Sequence, residues 1–211
     1  MELYVTLGKE GESILEVKRS EFLGYAKHVT SEAEARAFVD AIRKKHADAR
    51  HNVYAYVIAE NNIVRYSDDG EPQGTAGMPV LDILRKGGIT DAVIVVTRYF
   101  GGTLLGTGGL VHAYSDTAKA AVEDAGLITL VPYDVFRLTV SYPLYQRLPV
   151  LLKGLPIITD STEFEAEVTV SLAIKAGYAD KMLNVIQEAS AGKAAVENLG
   201  VRMDKEDLPL T

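Results

Sequence analysis

Residues 92–109, which read AVIVVTRYFGGTLLGTGG, decide the fold of the first half of the chain. The run 92–97 is short and almost purely apolar, a pattern typical of a strand that is buried on both faces. Arg98, Tyr99 and Phe100 follow as a charged and aromatic tip. A glycine-rich loop then leads into a helix that we expect to continue to about Ala125, where Gly126 ends it. The stretch therefore predicts a buried strand, a flexible loop and a long helix.

The residues before this stretch predict a mostly antiparallel arrangement. Residues 13–29 alternate as in a hairpin with a break at residues 18–21, and a second hairpin is expected around Asn61 and Asn62. Between the hairpins, Ser31 is a helix N-cap with Glu34 at the capping-box position. A second helix is expected over residues 78–86. Residues 1–130 therefore predict one α+β domain.

The second half of the chain has a different order of elements. The segment 127–134, which contains Pro132, marks the domain boundary, and we expect domains 1–130 and 131–211. Strands are expected over 135–140, from 156, over 164–174 and over 194–203, with helices over 143–153 and 179–189. The order β-α-β-β-α-β is that of a ferredoxin-like split βαβ module.

Composition excludes several classes of protein. The 211 residues include 22 Lys and Arg against 29 Asp and Glu, a net charge of −7, and both predicted domains are acidic. This balance argues against a wide nucleic-acid grip. The absence of cysteine excludes disulfides, zinc–thiolate sites and Cys nucleophiles. Residues 1–16 lack a signal-peptide pattern, and the longest apolar run is too short for a bilayer, so we expect a cytoplasmic protein with no membrane role.

Two glycine-rich segments together carry a family resemblance. Arg98-Tyr99-Phe100-Gly101-Gly102, then Leu105-Gly106, preceded by Asp68-Asp69-Gly70-Glu71-Pro72 and a helix over 77–84, resemble the signature of the YigZ/IMPACT family. The resemblance extends over the whole chain, as in the bacterial two-domain members. It implies a first domain with the fold of ribosomal protein S5 domain 2. It also implies a ferredoxin-like second domain similar to the C-terminal domain of elongation factor G.

The same resemblance implies a role near translation. The eukaryotic relative regulates translation by binding the activator of a stress-response kinase, and a ribosome or nucleic-acid role has been suggested for bacterial members. No set of catalytic residues comes with the resemblance, and no cofactor is expected. The family's marked positions fall on Asp68, Asp69, Gly70, Glu71, Gly77, Arg98, Gly101, Gly102 and Gly106.

Each segment also allows a reading from its own chemistry. Backbone N–H groups at the start of the long helix, together with Arg98, could hold a phosphate or carboxylate, although neither a Walker A nor a dinucleotide motif is present. The alternative is that the glycines permit a tight turn and close packing. The acidic loop could supply oxygen ligands to a hard cation, form an ordinary turn, or pair with Arg98 and fix the two loops relative to each other.

The leading hypothesis is a non-enzymatic cytoplasmic regulator or adaptor that binds a protein or a ribosomal partner. The alternative is a small-molecule enzyme or phosphate binder in a cleft between loops 68–77 and 98–109, with Arg98 as anion clamp and Asp69 or Glu71 as base or metal ligand. No catalytic or metal-ligating residue is assigned. Candidate ligand- or partner-binding residues are Asp68, Asp69, Glu71, Arg98, Tyr99, Gly101, Gly102, Gly106 and Gly108.

RNA binding is left open, and the N-terminal domain is the only surface on which the sequence allows it. A local basic patch is available there, formed by Lys18, Arg19, Lys27, Arg43, Lys44, Lys45 and Arg50. In the second domain, Glu163, Glu165 and Glu167 are expected to share a strand face that would repel RNA.

Overall fold

The computed structural model describes residues 3–205, which form an α+β protein with antiparallel sheets. The chain divides into two compact units: residues 4–129 form the first, and residues 130–205 with Leu3 belong to the second. Over the described range, no helix combines the length and the apolar character needed to cross a membrane.

The first unit is built around one antiparallel sheet and the helices that cover it. Its elements are β1 (Tyr4–Leu7), β2 (Gly11–Val17), β3 (Ser20–His28), α1 (Glu32–Lys45), β4 (His51–Ile58), β5 (Ile63–Ser67), α2 (Gly77–Lys86), β6 (Ala92–Tyr99) and α3 (Gly106–Ala125). The sheet has the strand order β2-β3-β6-β4-β5, and every pairing in it is antiparallel. The apolar β6 is therefore the central strand.

Both faces of β6 are covered, which explains its uninterrupted apolar run. Val93 and Val95 pack into the core under α1, whereas Ile94 and Val96 pack into the core shared with α2 and α3. All four side chains are fully buried. The prediction of a strand buried on both faces is confirmed, and its C-terminal end carries Arg98 into the α2–α3 side of the sheet.

Local signals form the turns and caps as expected. Lys18 and Arg19 adopt positive φ angles of 48° and 66° in the tight turn between β2 and β3. Ser31 accepts a hydrogen bond from the Glu34 N–H, and the Glu34 carboxylate accepts one from the Thr30 N–H. Asn61 and Asn62 also have positive φ, next to the start of β5. These short-range interactions fix the lengths of the two hairpins and the start of α1.

The second unit follows the β-α-β-β-α-β order. Its elements are β7 (Leu127–Val140), whose first three residues belong to the first unit, α4 (Tyr142–Leu151), β8 (Ile157–Phe164), β9 (Val168–Lys175), α5 (Ala179–Ser190) and β10 (Ala195–Lys205). These strands are ordered β10-β7-β9-β8 and are antiparallel. Leu138, Leu172 and Ile186 lie in a core that this unit forms by itself.

Some boundaries differ from the sequence predictions. β7 continues through Pro132, which had marked an interruption, because the missing N–H falls just beyond the end of β9 and no ladder bond is lost there. Strand β1 was not predicted. The run assigned to one strand from Phe164 is divided, so Glu163 lies in β8 while Glu165 and Glu167 lie in the turn before β9. The proposed row of glutamates on one strand face is therefore wrong.

Candidate functional site

A buried ion pair joins the two signature loops. Arg98, near the end of β6, donates from Nη1 to Glu71 Oε1 at 2.7 Å, and the two side chains are only 7% and 4% exposed. Charge-assisted bonds of this kind are among the stronger hydrogen bonds in proteins. The expected carboxylate–guanidinium pair between the loops is confirmed, with Glu71 as the carboxylate.

Tyr114 of α3 completes this group, and sequence reasoning did not identify it. Its hydroxyl donates to the same Glu71 oxygen at 2.8 Å. Burial and the negative charge of Glu71 raise the pKa of Tyr114, so the hydroxyl stays protonated and remains a donor. A tyrosine in helical register with Leu110 and Ala118, on the buried face of α3, was the available signal.

The remaining surroundings of Arg98 are aromatic. Its guanidinium carbon lies 5.4 Å from the centre of the Phe22 ring and 5.5 Å from that of Phe100. Cations at this distance from aromatic faces are stabilised electrostatically. Arg98 Nε is buried and has no hydrogen-bond partner among residues 3–205. The Arg98 side chain is thus held firmly while one of its donors is left unused.

His51, at the start of β4, faces the same group. Its Nδ1 donates to the Asp69 backbone carbonyl at 2.8 Å. Nε2 lies 4.0 Å from Glu71 Oε1, which is beyond hydrogen-bond distance. His51 therefore holds the acidic loop and lies beside the ion pair.

The carboxylates of Asp68 and Asp69 are occupied within the protein. Asp68 accepts hydrogen bonds from the backbone N–H groups of Gly74, Ala76 and Gly77 at 2.8–3.1 Å, which closes the loop and satisfies the start of α2. Asp69 accepts from Arg43 Nη2 at 3.0 Å and from the Asn52 N–H at 2.7 Å. The part of the chain that the structure describes contains no group of three or more His, Cys, Asp or Glu that could hold a metal.

Tyr99 lies apart from this site, because successive strand residues point to opposite faces of the sheet. The Tyr99 hydroxyl accepts from His46 Nδ1 at 2.9 Å and donates to Asp48 at 3.0 Å. The Tyr25 hydroxyl lies 2.7 Å from His46 Nε2. Burial, followed by the charge of Lys45, lowers the pKa of His46. The lowered pKa favours the neutral imidazole, in which Nδ1 donates to Tyr99 and Nε2 accepts from Tyr25.

The candidate glycines have separate structural roles. At Gly101, an added Cβ would lie 2.0 Å from the backbone of Arg19, so the loop can approach the β2–β3 turn only without a side chain. Gly102 and Gly106 have positive φ angles of 84° and 75°. Gly108 has open space around it. Gly106 and Gly108 lie in the first turn of α3, which the sequence analysis had included in the loop.

A cavity of about 470 Å³ opens beside the ion pair. Its polar wall includes Arg50, His51, Glu71, Arg98 and Thr107, and its apolar wall includes Pro72, Phe100, Leu104, Leu105 and Leu110. Leu104 is 82% exposed and Phe100 is 47% exposed. Of the nine sequence-predicted site residues, Glu71, Arg98 and Gly106 line this cavity.

Several cations of the expected basic patch have acidic partners. Lys27 pairs with Glu10 at 2.6 Å, and Arg43 pairs with Asp69. Lys45 Nζ lies 3.7 Å from a Glu12 oxygen and over the ring of Tyr25. These pairings reduce the positive potential that a phosphate backbone would meet.

Comparisons with known proteins agree on one family. The Impact N-terminal domain matches residues 18–122. IMPACT family member YvyE of Bacillus subtilis is 43% identical over 126 residues, 59% of this chain and 58% of that protein. IMPACT family member YigZ of Escherichia coli is 33% identical over 180 residues, 84% and 88% of the two chains. A crystal structure of a hypothetical protein, 31% identical, has a TM-score of 0.64 and covers 93% of this chain and 97% of its own. The chain therefore belongs to the IMPACT family.

Proposed function

We propose that this protein is a cytoplasmic regulatory adaptor that acts in translation by binding a protein partner, without catalysing a reaction. The observation that carries the proposal is that the charged and the apolar residues of the signature differ in burial. Its charged residues Glu71 and Arg98 are buried against each other, whereas the adjoining loop exposes Phe100 and Leu104 to solvent. A rigid base that presents apolar side chains is typical of a protein contact.

The chemistry of the acidic loop favours this reading over an enzyme. A general base works best when no neighbouring cation stabilises its charged form. Glu71 is paired with Arg98 and is only 4% exposed, and Asp69 is paired with Arg43 and also accepts from the Asn52 N–H. These contacts fit the task of holding the loops in place. The acidic partners of Lys27, Arg43 and Lys45 likewise favour a protein partner over RNA.

The proposed fold assignments agree with a role near the ribosome. We assign the first domain, residues 1–130, to the ribosomal protein S5 domain 2 fold. The second, residues 131–211, we assign to a ferredoxin-like fold that resembles the C-terminal domain of elongation factor G. The β-α-β-β-α-β order and the strand order β10-β7-β9-β8 support the second assignment.

Ribosome co-sedimentation from lysate tests the proposal, with Leu104→Ser as the variant. Because Leu104 is 82% exposed, the substitution removes contact area without disturbing the core. We expect the ribosome-bound fraction to fall several-fold. Ile14→Ser, at a side chain that is 73% exposed on β2, serves as a control and should leave it unchanged.

Two results would overturn the proposal. One is the absence of association at both low and high salt. The other is association that Leu104→Ser leaves intact and that nuclease treatment or moderate salt abolishes, because phosphate contacts are strongly salt-dependent.

A further inference from the structure

Strand β10 forms an edge of the sheet in the second unit, and its first half is uncovered. Among the residues that the structure describes, β10 pairs with β7 alone. Side chains 195–201 are exposed on both faces of the strand, and Val196, Leu199 and Val201 are 41–44% exposed. An edge strand also presents backbone N–H and C=O groups that no neighbouring strand uses. β10 therefore has a free hydrogen-bonding edge beside exposed apolar side chains.

This edge lacks most of the features that prevent strand pairing. Natural edge strands are short, or they carry lysine, proline, inward-pointing charges or a bulge. Residues 195–201 read AVENLGV, and their one charged side chain, Glu197, accepts from Arg137 Nη1 at 3.0 Å. A bulge between Asn198 and Gly200 limits the straight part of the edge to residues 195–198. This segment is open to a further strand, as in peptide recognition by β-augmentation.

An apolar groove of about 570 Å³ lies beside the same edge, between β10 and α5. Its apolar lining includes Phe136, Leu183, Ile186 and Val196. Ile186 is fully buried in the core of the unit, whereas Leu183 is only half-buried and Val196 is exposed. Because alternate side chains of a strand point to the same face, a strand added to β10 would place every second side chain over this groove. The groove therefore favours a segment with apolar residues at alternate positions.

The charged side chains that line the groove are both acidic. They are Asp134 of β7 and Asp180 in the first turn of α5, and within residues 3–205 neither makes an ion pair. Asp134 lies opposite Val201, whereas Val196 lies further along, opposite Leu138. Since α5 ends just before β10 starts, its first turn lies towards the Asp134 end of the groove. Unpaired carboxylates at one end favour a partner with Lys or Arg there.

We propose that the β10 edge binds an extended segment of a partner protein, which pairs as a strand with residues 195–198. Its apolar side chains lie over Phe136 and Leu183, and its Lys or Arg meets Asp134 and Asp180. A second copy of the chain fits less well, because it would bring another Glu197 to a groove whose charged residues are acidic. The site lies within the second unit and does not depend on the Leu104 contact of the first.

Titration of the full chain with two capped peptides, followed by ¹⁵N NMR, tests the proposal. The sequences KRVTVSVT and TVSVTVRK place the basic end at the carboxylates for a strand antiparallel or parallel to β10. We expect saturable shifts of the 195–198 and Asp180 amides with at least one of them. Peptides with Glu in place of the basic residues, or with Ser in place of each Val, should give none. No saturable shift with either basic peptide at millimolar concentration would overturn the proposal.

N-methylation of the bound peptide tests strand pairing itself. Alternate N–H groups of a strand point to the same neighbour, so one alternate set of N–H groups faces β10 and the other faces solvent. Methyl groups on the first set should abolish binding, and methyl groups on the second set should leave it. Equal affinities of the two methylated peptides would show contact without strand pairing and would overturn the proposal.

A charge reversal localises the binding. Asp180→Lys should weaken binding of the basic peptide roughly fivefold or more, because an exposed attraction becomes a repulsion. Glu163→Lys, on the exposed part of β8 at the opposite edge of the sheet, is the charge-matched control and should bind as the wild type does. Unchanged binding in Asp180→Lys, or an equal loss in both variants, would refute the groove.

The remaining outcomes separate this site from its alternatives. A dimer in sedimentation experiments that the peptide dissociates would identify a second copy as the occupant and overturn the proposal. Ribosome association that Leu104→Ser abolishes, in a protein that binds neither peptide, would leave the adaptor function standing without this site. Peptide binding by a protein that never associates with ribosomes would leave the β10 site standing alone.

Discussion

At the residue scale, Glu71 is the group on which the two signature loops depend. Replacement by Gln keeps the shape but leaves the Arg98 charge buried without its counter-ion. Breaking a buried pair in this way costs about 3–5 kcal/mol. We therefore expect Glu71→Gln to lower the free energy of unfolding by about 3 kcal/mol or more, measured by urea denaturation.

A matched control for Glu71→Gln is Asp82→Asn. Asp82 pairs with Lys86 at 3.4 Å on the exposed side of α2. Exposed pairs contribute little, so this variant should differ from the wild type by less than about 1 kcal/mol. Similar unfolding free energies for the two variants would contradict the role assigned to Glu71.

His46 gives the protein a pH-dependent stability. Its pKa is lowered from the ordinary 6.5 in the folded state, so the unfolded chain binds a proton first as the pH falls. This contribution is constant above about pH 7 and decreases through the ordinary pKa, with a limiting slope of about 1.4 kcal/mol per pH unit. Urea denaturation across this range should show a shallower slope in His46→Gln. An identical slope in the variant would exclude His46 as the cause.

At the element scale, Gly101 sets the distance between the β6–α3 loop and the β2–β3 turn. Gly101→Ala would force a Cβ against the Arg19 backbone, which must move. We expect a loss of about 1–3 kcal/mol, similar to overpacking of a core. Gly108→Ala, in open space within α3, should instead stabilise the protein by up to about 1 kcal/mol. Thermal denaturation should shift in opposite directions for the two variants, and a shift in the same direction would contradict this account.

Local signals in the sequence predict most of the elements. Residues 18–19, Ser31 and the apolar run of β6 act over a few neighbours, and the hairpin, the start of α1 and the central strand form where they predict. Pro132 is a case that local signals do not decide. A proline interrupts a strand only where a neighbouring strand would accept a hydrogen bond from its missing N–H, and β9 ends before that point. The inclusion of Gly106 in α3 likewise depends on packing of the whole helix, which glycine propensity alone does not report.

Contacts between distant residues limit what the sequence predicts about the site. The pair of Glu71 and Arg98 could be anticipated because one signature loop is acidic and the other begins with an arginine. Tyr114 lies 43 residues from Glu71, and nothing near it in the sequence identifies its partner. Tyr99 is a different case. Successive residues of a strand point to opposite faces, so the sequence alone could have excluded Tyr99 from the site that contains Arg98.

At the scale of the whole molecule, the net charge of −7 does not show how many basic side chains lie beside carboxylates that neutralise them. Both domains are acidic in the sequence, and in the first unit several of the basic residues that kept an RNA surface in consideration pair with neighbouring carboxylates. Each unit also buries apolar residues in clusters of its own. Family membership and the α+β class follow from the whole chain, whereas the buried ion pair depends on the contact between two loops.

The buried group of Glu71, Arg98 and Tyr114 also has a consequence for the order of folding. Synthesis delivers Glu71 first, Arg98 27 residues later and Tyr114 43 residues after Glu71. A carboxylate that leaves water before its cation arrives bears the full desolvation cost. We therefore expect the 68–77 loop to settle only after β6 and α3 are in place, so that closure of the ion pair is a late step in folding.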